Sequence, residues 1–320
     1  VQSMEKHTSY CAMMRLGMPV PDTVLVPPKE YEASPDLQVT LERYARLFDL
    51  AEVGEQIGYP AFMKPYDGGG WVGVSKLEND DELRAAYEES GRFVMHVQKG
   101  LVPHDAFVRC IGMGPQTRIV SYDPGAPLHQ RYQDDQDLVA SATITEAEAQ
   151  VIRDTTLTIN TFFGWDFNSC EMIRVDGVWH PFDFANPCPD SQVSSLHVHF
   201  PWVVLSKLRW ALYCAATKRP MHRNLDWAPY FEIAAGDAPY EEKLAAYGAH
   251  ARKLLDADAF AAFDAEHLSH LDEVAREFFG SARAKEAVRL KVEALFPESE
   301  WDEFTDYFWA RIQTWREAAS

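Results

Sequence analysis

A lysine that opens into a run of glycines is the first part of this 320-residue sequence that could do chemistry. Lys64 lies near the end of an apolar stretch, Ala61-Phe62-Met63-Lys64-Pro65, which runs into Asp67-Gly68-Gly69-Gly70-Trp71-Val72-Gly73. Glycines let the backbone come close to a phosphate and turn its N–H groups toward it. Trp71 within the loop suggests a lid as well as a cradle. No Gly-Lys-Ser/Thr closes the loop, so it is not a Walker A motif, and it does not open a helix as GxGxxG would. Alone, a glycine triplet is more often a flexible hairpin turn. It gains meaning from an ordered set of other residues. Lys6 precedes it, Gln98-Lys99-Gly100-Leu101 and Asp105 follow, and Glu171, Asp183 and Asn186 come later.

The elements that must position these residues follow from periodicity. Glu5 to Leu16 is helix-like and stops at Gly17, and a proline-rich extended stretch runs to Pro28. Asp36 to Ile57 reads as one further helix, with Leu41, Tyr44, Ala45, Phe48 and Val53 at near-helical spacing. Strands are expected at 61–65, 93–98, 105–112 and 117–122, and helices at 80–89 and 146–163. Asn168 to Asn186 reads as a hairpin turning at Asp176-Gly177. From Trp202 the pattern is helical almost to the end. His197 and His199, one residue apart, would share one face of a strand, where they could meet metal or substrate or serve structure. Trp210, Trp227, Trp301, Trp309 and Trp315 are expected in core or subunit packing, which leaves a homodimer open.

Composition excludes several classes. The chain is 47% hydrophobic and 12% aromatic, too apolar for disorder. A formal charge of -19 argues against a nucleic-acid partner held through its phosphates. No apolar run reaches the length of a membrane span. Five scattered cysteines without CxxC spacing point to reduced thiols in the cytoplasm, not to a disulfide framework or structural zinc.

The ordered set from Lys6 to about Asp190 resembles the ATP-grasp superfamily of carboxylate–amine ligases. The resemblance implies an α+β, ATP-grasp fold, two α/β subdomains clasping ATP, here followed by a helical C-terminal region. The expected segments are 1–56, a helical and extended part of the core; 57–98, the lid with the glycine loop; 99–220, the central subdomain with the metal site; and 221–320, the helical region. Such enzymes carry an α/β domain ahead of the first lysine, which this chain is expected to lack or to have lost by trimming.

By the same resemblance, Lys6 and Lys64 contact nucleotide phosphates, whose charge lysine ammoniums can offset in a closed cleft. Gly68, Gly69, Gly70 and Gly73 form the loop over them. Gln98, Lys99 and Leu101 form the hinge whose backbone reads adenine, and Asp105 meets the ribose. Glu171, Asp183 and Asn186 match the magnesium ligands, oxygen donors of the kind Mg²⁺ takes, with Mn²⁺ as a substitute. The spacing Asp183-Phe-Ala-Asn186 is one residue longer than is usual in that family. Arg118, Arg131 and Arg174 are candidates for holding the γ-phosphate and a developing acyl phosphate.

The implied activity is ATP-dependent ligation of a small-molecule or peptide carboxylate to an amine. A small-molecule kinase on the same fold, or an inactive nucleotide-binding regulatory module, are the competing readings.

Overall fold

The computed structural model describes residues 6–44, 48–67, 72–134, 137–221 and 225–318. The chain forms two units, Val1–Asp105 with Ile173–Ala185, and Ala106–Met172 with Asn186–Ser320. Neither is a continuous stretch of sequence. The architecture is α+β, with two antiparallel sheets and a helical C-terminal region.

The first unit opens with α1 (Lys6–Arg15), which ends at Gly17, a residue with φ of 81° that only glycine adopts readily. β1 (Thr23–Val26) follows within the proline-rich stretch. The single helix expected over 36–57 is two, α2 (Pro35–Tyr44) and α3 (Leu50–Ile57). Asp49 explains the restart: its backbone is extended, and its carboxylate accepts from the N–H of Ala51 at 2.8 Å. An N-cap in the middle of a helical apolar pattern begins a new helix. Ala45 lies outside the described residues.

β2 (Ala61–Pro65), β3 (Ser75–Leu77), α4 (Asp80–Glu89, capped by Asn79) and β4 (Met95–Lys99) complete the continuous part. The strands order β1-β4-β2-β3. Ala61, Met63, Met95 and Val97 face a core shared with Val26, Ile57, Leu77 and Leu83. Because side chains alternate, Phe62, Lys64, His96 and Gln98 fall on the other face. Lys64 pairs across the ladder with His96, and Phe62 with Gln98.

In the second unit, β5 (Ala106–Met113) and β6 (Gln116–Ser121) form a hairpin, with Val108 opposite Ser121 and Met113 opposite Gln116. Its turn needs Gly114: φ is +53°, and a Cβ there would lie 2.4 Å from the Trp210 ring. α5 (Glu146–Phe163) begins with a Thr145/Glu148 capping box and ends at Gly164 in the left-handed region. β7 (Phe167–Val175) and β8 (Val178–Asp183) are the expected hairpin, with positive φ at both Asp176 and Gly177. The second sheet orders β6-β5-β7-β8, and the division between units falls within β7.

The helical region contains α6 (Val193–Leu196), α7 (Phe200–Thr217), α8 (Ala228–Ala235), α9 (Tyr240–Leu254), α10 (Ala257–Phe263), α11 (Leu271–Phe279), α12 (Ala282–Glu293) and α13 (Trp301–Ala318). Phe279, Val288, Val292, Phe308, Ile312 and Trp315 close one core. Met113, Leu157, Trp210, Tyr213 and Phe260 close another. Among the described residues, no helix is long and apolar enough to cross a membrane.

Candidate functional site

On the polar face of the first sheet, Lys64 donates to Gln98 Oε1 at 2.5 Å, and Gln98 Nε2 donates to Thr23 Oγ1 at 2.9 Å. The amide is thereby oriented, oxygen to the lysine and nitrogen to the hydroxyl. The Gln98 side chain thus anchors Lys64, a contact that the sequence did not point to. Lys64 also lies 5.8 Å from the Phe182 ring centroid, a cation–π contact. Lys6 Nζ is 2.9 Å from both carboxylate oxygens of Asp183. Tyr10 holds the same strand end by donating to Phe182 O at 2.6 Å.

Between the lysines sits a residue that sequence reasoning missed. His96 is fully buried, with its ring 5.5 Å from that of His7. Burial, then the charges of His7, Lys64 and Lys6, pull it down to about 3, so it is neutral. The signal was present: His96 lies two residues before Gln98 and therefore on the same strand face.

In the hinge segment, the Lys99 N–H donates to Asp22 O at 2.9 Å, and the Gly100 N–H to Pro60 O at 2.8 Å. A Cβ on Gly100 would meet Pro60 O at 2.5 Å, which explains the glycine. Asp105 and Arg174, expected in separate roles, form an ion pair at 2.9 Å. The Arg174 guanidinium also lies 5.4 Å from the Trp179 ring centroid. Gly73 has φ of +71° beside Pro65. Gly68, Gly69 and Gly70 lie outside the described residues.

The second unit holds the other half of the expected set. Glu171 Oε1 is 3.2 Å from an Arg109 guanidinium nitrogen. Arg109 also donates to Ser169 Oγ at 3.1 Å and to Tyr132 OH at 2.7 Å. Its guanidinium lies 5.6 Å from the ring centroids of both Tyr122 and Tyr132. Arg109 was not foreseen, although a basic residue between Val108 and Cys110 in an apolar strand was a visible anomaly. The Asn186 N–H donates to Asn168 Oδ1 at 3.0 Å.

Arg118 donates through Nε to His199 Nδ1 at 3.0 Å, and His199 Nε2–H donates to Gln133 O at 2.8 Å. That arrangement requires the neutral Nε2–H tautomer. It agrees with a pKa pulled down to about 3 by burial and then by Arg118. Burial likewise lowers Arg118 to about 10. Arg131 Nε donates to Ala126 O at 3.2 Å.

His197 and His199 do not share a strand face. They belong to a 3-10 turn, entered through a φ of +29° at His197, and both rings are buried. The period-two spacing resembled a strand because a single turn at His197 is invisible to periodicity. Among the described residues, no group of three or more His, Cys, Asp or Glu side chains could hold a metal ion. The expected magnesium set does not depend on such a group, being two acids and an amide.

A protein-family model described as "D-ala D-ala ligase C-terminus" matches residues 13–177, just over half of the chain. The D-alanine--D-alanine ligase of Bacillus pumilus is 27% identical over 163 residues, 46% of this chain and 39% of that protein. That of Heliobacterium modesticaldum is 34% identical over 96 residues, 29% of this chain and 25% of that protein. The matches thus span well under half of these curated relatives. A crystal structure of D-alanine--D-alanine ligase from Bacillus anthracis is 16% identical, covering 67% of this chain and 69% of its own, with a TM-score of 0.47. The family match includes Lys64, the hinge, Asp105, Arg109, Arg118, Arg131, Glu171 and Arg174, and stops before Asp183. The chain belongs to the D-ala D-ala ligase C-terminus family, within the ATP-grasp superfamily.

Proposed function

We propose that this chain binds Mg-ATP and activates a small carboxylate for ligation to an amine. The observation that carries the reading is Lys64, on the polar sheet face and fixed by the Gln98–Thr23 relay, inside the matched family region. Lys64 and Lys6 offer ammoniums to the phosphates, and neutral His96 beneath them adds no competing charge. The hinge offers adenine the backbone of Lys99 and Leu101, and Asp105 offers the ribose a carboxylate. Amino-acid substrates are favoured, since the relatives are named for D-alanine. The five cysteines, all thiols, fit work in the cytoplasm.

Glu171, Asp183 and Asn186 fit a magnesium ion in chemistry. The carboxylates are partly exposed hard donors, each now facing a cation, Arg109 for Glu171 and Lys6 for Asp183. Bound there, the metal would neutralise phosphate charge and orient the transferring group. In the proposed reaction a carboxylate oxygen bonds to the γ-phosphorus, and the bond from that phosphorus to ADP breaks. The amine then attacks the acyl carbon, inorganic phosphate leaves, and the nitrogen loses a proton. Arg118 and Arg131 supply fixed positive charge to the phosphoryl oxygens.

The test is phosphate release from ATP with candidate amino acids, in the parent, Glu171→Gln and Asp183→Asn. Amine-dependent release that collapses in both variants, with folding retained, supports the reading. A stable phosphorylated product would indicate a kinase, and full turnover in either variant would remove the metal assignment. Asn186→Ala should do less damage, because water can replace a neutral ligand.

A further inference from the structure

The stretch from His129 to Asp134 is held along most of its length, and the holds come from two sides. On the sheet side, Tyr132 OH accepts from Arg109, and Gln133 O accepts from His199 Nε2 at 2.8 Å. The Gln133 N–H donates to Ser121 O at 3.0 Å. On the other side stands α13. The His129 ring lies edge-on to Phe304 and Tyr307, with centroids 5.1 and 5.6 Å away. Arg311 donates to Asp134 Oδ2 at 2.7 Å, while its guanidinium lies 4.9 Å from the Tyr307 ring centroid. Between these holds lies Arg131, whose carbonyl accepts from the Asp123 N–H at 2.8 Å.

The helix is suited to act as a post. Phe308, Ile312 and Trp315 are buried in the core of the helical region. Phe304, Tyr307 and Arg311, spaced i, i+3 and i+7, form the adjacent stripe that meets the loop. A loop arginine is a costly place for a phosphate-holding group, because backbone and side-chain freedom must both be lost when it engages. Fixing the backbone before and after Arg131 removes part of that loss in advance.

We propose that α13 is a positioning element for Arg131, clamping its loop at His129 and at Asp134. This assigns a role to the C-terminal helix, which lies outside the residues matched by the ligase family. It rests on the proposed function for what Arg131 does, but the clamp itself does not. Phe304, Tyr307 and Arg311 are the positioning residues on the helix, and Arg131 is the group they serve.

The full chain would be studied by amide hydrogen exchange over residues 128–134 and by ATP turnover. Arg311→Gln and His129→Ala remove one hold each while leaving the core face of α13 untouched. Asp306→Asn, which removes only the charge that Asp306 of α13 offers to Lys285 of α12, is the control. The Arg311–Asp134 pair is more than a third exposed on both sides, so exchange should quicken only about threefold to fivefold per variant. It should quicken further in the double variant, stay unchanged in Asp306→Asn, and recover in part in Arg311→Lys. kcat should fall in the same order, with KM for ATP nearly constant. Unchanged exchange in both Arg311→Gln and His129→Ala would overturn the clamp. Faster exchange with unchanged kcat would overturn the positioning of Arg131. A parent that turns over no ATP would remove the ligase reading, and the exchange result would then decide the clamp alone.

Discussion

The ammonium of Lys6 lies 2.9 Å from each carboxylate oxygen of Asp183 and joins the first helix to the end of β8. Both side chains are largely shielded, at 10% and 26% exposure, so each gains part of its compensation from the other. Removing one partner leaves the other poorly solvated. Lys6→Met should therefore lower stability by about 1–3 kcal/mol. Asp183→Asn should cost less, because an amide can still accept from the lysine. Urea unfolding of both singles and the double would give a coupling energy. Additive losses would mean that the pair contributes nothing.

Nucleotide binding offers a second check. Mg-ATP at a hundredfold excess over its dissociation constant should stabilise the parent by roughly 2.7 kcal/mol. Lys64→Ala should lose most of that thermal shift, and Gln98→Leu, which frees the ammonium from its anchor, should lose part. An equal shift in Lys64→Ala and the parent would move the phosphate site elsewhere.

Acidification should destabilise the fold through three buried histidines. Burial holds His96 and His199 at about 3 and His197 at about 4, against 6.5 for an ordinary histidine. Below pH 6.5 the unfolded chain takes up protons that the folded chain refuses. Their contribution is therefore complete above pH 6.5 and is lost as pH falls toward 4 and then 3. Each contributes a slope of at most about 1.4 kcal/mol per pH unit. Unfolding free energies from pH 7.5 to 4.5 should show a shallower slope in His96→Gln than in the parent. Equal slopes would mean that His96 becomes protonated without unfolding.

Gly248 tests the packing of α9 on α5. Alanine ordinarily favours a helix over glycine by about 1 kcal/mol. Here a Cβ would lie 2.2 Å from Asp154 Oδ1, an atom that already accepts from Arg252 at 2.5 Å and Gln150 at 2.9 Å. The clash should win, and Gly248→Ala should lower stability by about 1–3 kcal/mol. A gain in melting temperature would show that the two helices can separate without cost.

Local signals in the sequence were largely sufficient for the elements. Ala61–Pro65, Asp80–Glu89 and Glu146–Phe163 fall where periodicity and caps place them, because the pattern that marks each is also what buries it. The break before α3 was missed because Asp49 continues a helical spacing while its side chain caps a new helix. The turn at His197 was missed because one residue's φ leaves no periodic trace. In the candidate site, lysines and acids announce themselves by type, but their partners do not. Arg109 beside Glu171 and Asp105 beside Arg174 are long-range meetings that register and topology decide. The helical region gave no motif at all, since its grip on the Arg131 loop uses ordinary aromatic and basic residues.

The discontinuity of the first unit has a consequence for synthesis. Its opening 105 residues leave the ribosome well before Ile173–Ala185 exists. Lys6 waits for a carboxylate 177 residues downstream, which at ~5–20 residues per second is a delay of roughly 10–35 s. Throughout that interval Tyr10 lacks the carbonyl of Phe182, and Lys64 on the polar sheet face lacks the Phe182 ring. The first unit is therefore most vulnerable while residues 106–172 are being made, when a holding chaperone or slow translation would matter most.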